Sequence, residues 1–490
     1  MKRLAIVIIS ILTIIPKGEW NQALGTENSH IYFANGCKIG ELASDSAIIW
    51  TRLTTRPERI LDGPGFLNSL ADGENRLKEK HFPAEDQIPD GVTLDQIVGA
   101  VPGADGQARL TLWMSGPTEI KIFESPWMPV TSATGNTIKF DLKNLKPETK
   151  YHFSIEAISP NDYEIQNSIN GHFMTAPDSQ SDTDILFTVA GCHDFLRRDH
   201  PINGHNLYPS MLNLMPDFFV HTGDIEYFDK TDPYATRLDL ARFKFTRLYS
   251  MEYQRNFHTR IPTYWMKDDH DTLKNDCWPG QTYGELTFIQ GIELFREQFP
   301  VRNPTYRTFS WGKNLQIWLM EGRDFRSPNS AKDGPEKSIW GADQKEWLFK
   351  TLSQSSAQFK VILSPTPMVG PDRRNKRDNY ANDGFYYEGS RLRNKLGQEK
   401  NLIVICGDRH WQYASQDPVS GLREFSCGAG SDEHAGGFSL AARSPMHKFL
   451  AIEPGFISCR ISGGPTPRMM VNFHGTNGKV RYSESIIPDI

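Results

Sequence analysis

The chain has 490 residues, of which 38% are hydrophobic and 23% charged, and its formal net charge is −5. That length implies two or more domains, and that composition is ordinary for a globular protein. The negative balance and the lack of a long basic run leave no electrostatic argument for nucleic-acid binding.

Lys2 and Arg3 precede a short apolar stretch, residues 4–15, which ends at Pro16. A charged start and a brief apolar core read as a secretory signal over residues 1–23, with cleavage near Asn21-Gln22-Ala23. A membrane anchor is the competing reading, but the stretch is too short to span a bilayer comfortably. No later segment is apolar enough to span one, so the mature protein is expected to be exported: periplasmic, extracellular or at the cell surface. Cysteines stand at 37, 192, 277, 406, 427 and 459 without any Cys-x-x-Cys spacing, so a structural zinc site is not expected. In an exported chain some of them could pair.

Residues 30–177 read as an all-β N-terminal domain. Strand-like runs occur at 46–53, 108–114, 137–142 and 152–157, and residues 173–177 would form the last strand. Leu145-Lys-Pro147-Glu-Thr149-Lys-Tyr151 is similar to the turn and tyrosine corner of fibronectin-type and Ig-like sandwiches. Residues 54–106 form a large insertion rich in Pro, Gly, Asp and Glu, read as ordered loops and short helices, or else as a disordered loop. Residues 178–183 are the linker, and a catalytic domain is expected over 184–490.

In that second part an apolar run of strand length, residues 184–190, ends in Gly191-Cys192-His193-Asp194. Another, from Asp217, ends in Gly223-Asp224-Ile-Glu-Tyr227. The helix-length interval between them makes a βαβ unit with parallel strands, and ligands of such units bind beyond the carboxyl ends of the strands. Residues 261–266 lead into Lys267-Asp268-Asp269-His270-Asp271, and residues 402–406 into Gly407-Asp408-Arg409-His410. One polar cluster after a strand is most often a solvated turn; four in register are not. Carboxylate and phenol oxygens suit hard cations and a thiolate a softer or oxidised one, which points to a mixed metal centre. Helices are expected at 236–250, 283–298 and 341–353, a hairpin at 308–320, a strand at 359–363, and short strands after Arg423.

The order Cys192, Gly223-Asp224-x-x-Tyr227, Asp268-Asp269-His270 and Gly407-Asp408-x-His410 resembles the alkaline phosphatase D (PhoD-like) family, a branch of the calcineurin-like metallophosphoesterases. The resemblance covers roughly residues 30–490. The chain is expected to be a monomer, and its Lys2-Arg3 start departs from the twin-arginine export signal of many members. The resemblance implies a four-layer αββα sandwich behind the N-terminal β domain, and a phosphoesterase. Such an enzyme hydrolyses phosphate mono- or diesters by metal-activated water attack. It implies Fe³⁺ held by Cys192, Asp224 and Tyr227 together with His410 or Asp408. A second divalent cation, Ca²⁺ with Zn²⁺ or Mn²⁺ as alternatives, would meet Asp224, Asp269 and Asp408. Asp224 would bridge the two. His270 would protonate the leaving oxygen or steady the transition state. Asp268 would either orient His270 or be the ligand in place of Asp269, and Asp271 would be a supporting acceptor.

Arg323, Asn275 and His193 are weaker candidates for substrate contact; for Arg323 a plain salt bridge competes. His193, Asp194, Arg409 and Trp411 flank the ligands. The glycine-rich run 428–437 reads as a flexible loop rather than a phosphate cradle, since no Gly-Lys-Ser/Thr follows. A degenerate surface- or carbohydrate-binding protein on the same fold is one alternative. A metal-dependent hydrolase of another ester, or a halide-oxidising enzyme, is another.

Overall fold

The computed structural model describes residues 30–67, 87–160 and 162–488. The signal reading of residues 1–23 and part of the 54–106 insertion lie outside them.

Two large sheets dominate. The nine-stranded sheet has Ile185–Ala190, Phe218–His221 and Thr263–Trp265 side by side and parallel at its centre. The βαβ expectation is met there: Leu207–Leu212 is the intervening helix. Phe456–Ser462, Arg468–His474 and Val480–Ile486 extend the sheet antiparallel on one side. The seven-stranded sheet begins with the expected hairpin, Arg307–Trp311 and Leu315–Leu319, and continues in parallel through Phe359–Ser364, Leu402–Cys406 and Arg423–Cys427.

Side chains alternate along a strand, so each central strand buries two faces. Phe187, Val189, Phe218 and Val220 of the first sheet meet Ile317, Val361, Leu363 and Ile405 of the second in one core. The opposite faces are covered by helices. Trp265 packs with Leu238–Leu248 and Phe288–Gln298, and Phe219 with Leu207–Leu212 and Glu252–His258. Trp318, Ile362 and Val404 are covered by Gly341–Gln354 and Tyr386–Leu396. Helix, sheet, sheet and helix therefore stack as a mixed α/β sandwich. The helix expected at 283–298 starts later, because Thr282–Tyr283 and Leu286–Thr287 form a small hairpin first. Thr287 and Gln290 then cap the helix reciprocally.

The N-terminal strands fill two sheets. Gly106–Met114, Ile120–Glu124, Met128–Val130, Lys150–Ile158 and Asn167–Met174 form one of their own. Cys37–Gly40, Ala47–Arg52 and Thr137–Leu142 instead continue the nine-stranded sheet, because Gly40 pairs in parallel with Thr263. The N-terminal segment thus shares a sheet and a core with the rest. An unpaired edge of Thr263–Trp265 would otherwise face solvent.

The turn before Lys150–Ile158 is tied as its sequence suggests. Lys146 N–H donates to Tyr151 Oη at 2.8 Å, and Tyr151 is 1% exposed. Tyr151→Phe is expected to leave that donor unsatisfied and cost about 1–2 kcal/mol. Chemical denaturation read against hydrolytic activity checks this: stability should fall while specific activity at 25 °C holds.

Candidate metal centre

The four polar clusters converge beyond the carboxyl ends of their strands. The chain turns there through backbone that L-residues rarely adopt: Cys192 has φ 53°, Asp194 65°, Asp224 52° and Asp408 62°. Left-handed non-glycine residues carry strain of the order of 1–3 kcal/mol each and persist only where the surroundings hold them. Cys192 N–H donates to Gly223 O at 3.1 Å and His193 N–H to Asp224 O at 2.8 Å. Asp271 links two of the loops, accepting from Ile225 N at 3.0 Å and from Asp268 N at 2.6 Å. Gly223 has φ 104°, and a Cβ there would lie 2.8 Å from both the backbone N and the Cβ of Asp268. Only glycine lets the Asp224 loop approach the Asp268 loop this closely.

Asp224 is the hub. Its carboxylate forms a compact group with Cys192 Sγ and His410, a second with Asp268 and Asp408, and a third with Asp269 and His270; within each, the ligand atoms lie within 4.8 Å of one another. Asp224 Oδ2 stands 3.5 Å from Cys192 Sγ and accepts from Tyr227 Oη at 3.2 Å. Tyr227 Oη is also 3.2 Å from His410 Nε2. Among the described residues, all the ligand candidates come from 192–410.

Several of these atoms are buried without a hydrogen-bond partner: Asp224 Oδ1, Asp268 Oδ2 and Asp269 Oδ1, the last with only the Arg323 guanidinium at 3.5 Å. Buried carboxylate oxygens left bare are costly. Burial, reinforced by the Asp269, Asp268 and Asp408 carboxylates, raises the Asp224 pKa well above the usual range. Burial and the Asp224 charge do the same to the Cys192 thiol and the Tyr227 phenol. Such a set ionises together only around cations. The bare oxygens and the donor types, sulfur and phenol on one side of Asp224 and carboxylates on the other, fit two metal ions.

His270 is held by a residue that the sequence reading missed. Its Nδ1 is 2.6 Å from Asp229 Oδ1, and Asp229 Oδ2 accepts from Asn275 N at 2.9 Å. Burial opposes a proton on His270, but the carboxylates of Asp229, Asp269 and Asp224 outweigh it and raise its pKa to about 10. Asp268, for which orienting His270 is one of the two expected roles, is bound instead by Arg323 Nε at 2.5 Å. Asp229 lies two residues beyond Tyr227 in the loop after Phe218–His221 and belongs to none of the four motifs, so only the folded chain shows that it meets His270.

The weaker candidates fall elsewhere. Arg323 is fully buried, with Nη2 3.5 Å from Asp269, so it balances ligand carboxylates from behind. His193 turns into the core, 2.6 Å from His221 Nε2 and stacked on Tyr208. Asn275 is exposed and meets the site through its backbone N–H. Arg409 is buried against Asp372, Asp378 and Asp408. His434, in the run read as a flexible loop, is buried: its Nδ1 bonds Cys192 O at 2.9 Å and its ring lies 4.0 Å from that of His410. Arg197, also unanticipated, stands over Tyr227 with Cζ 6.0 Å from the ring. All six cysteines are buried and unpaired.

Known proteins share the family and the fold of this chain. Residues 187–444, more than half the chain, match the PhoD-like phosphatase family. Alkaline phosphatase D of Bacillus subtilis is 19% identical over 88% of this chain and 76% of its own. The solved structure of PhoD superposes with a TM-score of 0.68 at 17% identity, covering 92% of this chain and 89% of that one. Purple acid phosphatase PPD1 from yellow lupin seeds superposes with a TM-score of 0.62 at 12% identity, covering 92% and 74%. At those identities the two structures speak for the fold.

Proposed function

The chain belongs to the PhoD-like phosphatase family and is a metal-dependent phosphoesterase, and from that premise we propose how its own residues divide the work. The carrying observation is that Asp224 belongs to every compact ligand group at the strand ends. We read Cys192, Tyr227 and His410 with Asp224 as the holders of Fe³⁺. Asp268, Asp269 and Asp408 with Asp224 hold a second divalent cation, Ca²⁺ by preference. Thiolate and phenolate suit the oxidised ion and carboxylates the hard one. Bound there, the two cations would supply charge for the phosphoryl oxygens and an activated water.

The chain supplies the rest. Asp224 would face both ions, and its backbone is held between the Cys192 and Asp268 loops. Arg323 and Arg409 offset the charge of the ligand carboxylates. His270, its Nδ1 fixed on Asp229, carries its proton on Nε2 and delivers it to the oxygen of the departing alcohol. Its place beside Asp224 and Asp269 supports a second reading, in which Nε2 ligates the second cation.

The reading extends to the whole chain: an N-terminal fibronectin- or Ig-like module over 30–177, a catalytic module over 184–490, and a monomer exported through residues 1–23. Sequencing the N-terminus of the mature protein tests the last point, and an intact Met1 would refute it.

Tyr227 gives the direct test of the metal assignment. A phenolate on Fe³⁺ absorbs in the visible, whereas Zn²⁺ and Ca²⁺ have no accessible redox state and give no such band. The active protein is therefore expected to be coloured, and Tyr227→Phe to lose or shift the band while the chain stays folded. Iron measured in both proteins completes the test. An iron-containing active wild type whose band survives Tyr227→Phe removes Tyr227 from the ligand set, and an active protein without iron removes the ferric assignment.

A further inference from the structure

The cations around the ligand carboxylates are not equivalent. Arg323 and Arg409 are 0% and 1% exposed and ion-paired with Asp268, Asp269, Asp372, Asp378 and Asp408. Arg373 and Lys376 lie on the loop that follows Phe359–Ser364, with side chains 34% and 24% exposed. Arg373 Cζ is 5.4 Å from the ring of Trp411, the residue after His410. Lys376 Nζ is 3.5 Å from Asp276, whose backbone N–H donates to Asp269 Oδ2 at 2.5 Å. One cation thus stands beside each half of the ligand set.

The Arg373 fork is free. Its Nε is 3.4 Å from Asp372 Oδ1, and its two Nη atoms make no hydrogen bond among the described residues. Asp372 is engaged elsewhere, accepting from Asn379 Nδ2 at 2.7 Å and pairing with Arg409 at 3.3 Å. Arg374, the next residue, is exposed and forms no ion pair among the described residues. The backbone beneath is clamped: Asn382 Nδ2 donates to Lys376 O at 2.5 Å and to Arg373 O at 3.3 Å. Gly437 faces the fork, where an added Cβ would come within 3.3 Å of Arg373 Nη1. An uncommitted planar fork steadied over an indole face is suited to a tetrahedral dianion, which it can engage with two parallel N–H donors.

We propose that Arg373, with Arg374 and Lys376, forms a second anion subsite beside the metal centre, and that the substrate carries a second phosphate besides the one cleaved. This rests on the phosphoesterase reading of the centre itself.

A matched pair tests it: a nucleoside monophosphate, and the same nucleoside with a second phosphate on the ribose. The wild type should favour the bisphosphate in kcat/KM by on the order of tenfold, a typical return for one further charge-assisted contact. Arg373→Met keeps the stem over Trp411 and removes the charge, so the ratio should fall close to unity. Arg373→Lys should retain most of it. No preference in the wild type, or a preference that survives Arg373→Met, overturns the subsite. If the metal-loaded wild type hydrolyses neither compound, the phosphoesterase reading fails separately. Calorimetric binding of the bisphosphate then decides: about tenfold weaker binding to Arg373→Met upholds the subsite, and equal binding overturns it.

Discussion

Asp224→Asn is expected to lower turnover by on the order of 10³-fold or more while the protein remains folded. The substitution is nearly isosteric, so the packing of this buried, left-handed residue is kept. What changes is charge. Asp224 alone joins the Cys192–His410 group to the Asp268–Asp408 group and to the Asp269–His270 group. A carboxylate can neutralise a cation on each oxygen; an amide offers one oxygen and turns an NH₂ toward the other. The phenol of Tyr227 and the thiol of Cys192, both 3.5 Å or less from Asp224 Oδ2, also lose their common neighbour. The measurement is kcat on a nitrophenyl ester, with elemental analysis and thermal unfolding of the same preparation. A variant that keeps two metals and most of its turnover would show that Asp224 is no bridge.

The second large effect concerns proton delivery. His270→Ala is expected to leave metal content nearly normal and to reduce turnover by about 10²–10⁴-fold for esters of poor leaving alcohols, with a smaller loss for nitrophenol. The imidazole is poised for this by Asp229 at 2.6 Å. Because that carboxylate and its neighbours raise the pKa to about 10, the proton stays on the ring across neutral and mildly alkaline pH. A group that acts as an acid works below its pKa, so wild-type kcat should fall as pH rises through that value, and His270→Ala should lack this limb. Asp229→Asn removes the charge that sustains the proton and should move the limb to lower pH. Equal losses for good and poor leaving groups would assign His270 to charge stabilisation, and loss of a metal would assign it to coordination.

The sequence and the structure divide this protein along a physical line. Whatever depends on local pattern could be read from the chain. Apolar runs of strand length closing on Gly-Cys-His-Asp, Gly-Asp-Ile-Glu-Tyr, Asp-Asp-His and Gly-Asp-Arg-His placed Cys192, Asp224, Tyr227, Asp268, Asp269, His270, Asp408 and His410 at strand ends. Three of these clusters end neighbouring parallel strands of one sheet, so their convergence was implied by order, whereas Asp408 and His410 end a strand of the second sheet and join them only through the packing of the two sheets. The Leu-x-Pro-x-Thr-x-Tyr turn was legible for the same reason, since its hydrogen bond spans five residues.

What only the tertiary structure decided depends on contacts between distant segments, which leave no periodic trace. Asp229 reaches His270 across 41 residues, and His434 reaches Cys192 across 242. Arg323, a candidate for phosphate in the sequence, is fully buried and ion-paired with Asp268 and Asp269, a contact across 55 residues. His193, one residue from a ligand, is turned into the core against His221 and Tyr208. The strands of the N-terminal segment show good local strand character, yet nothing local says that Gly40 will pair with Thr263 and lengthen the metal-bearing sheet. A strand's pattern records which faces it buries, and its partners are chosen by the edges that the rest of the fold leaves open.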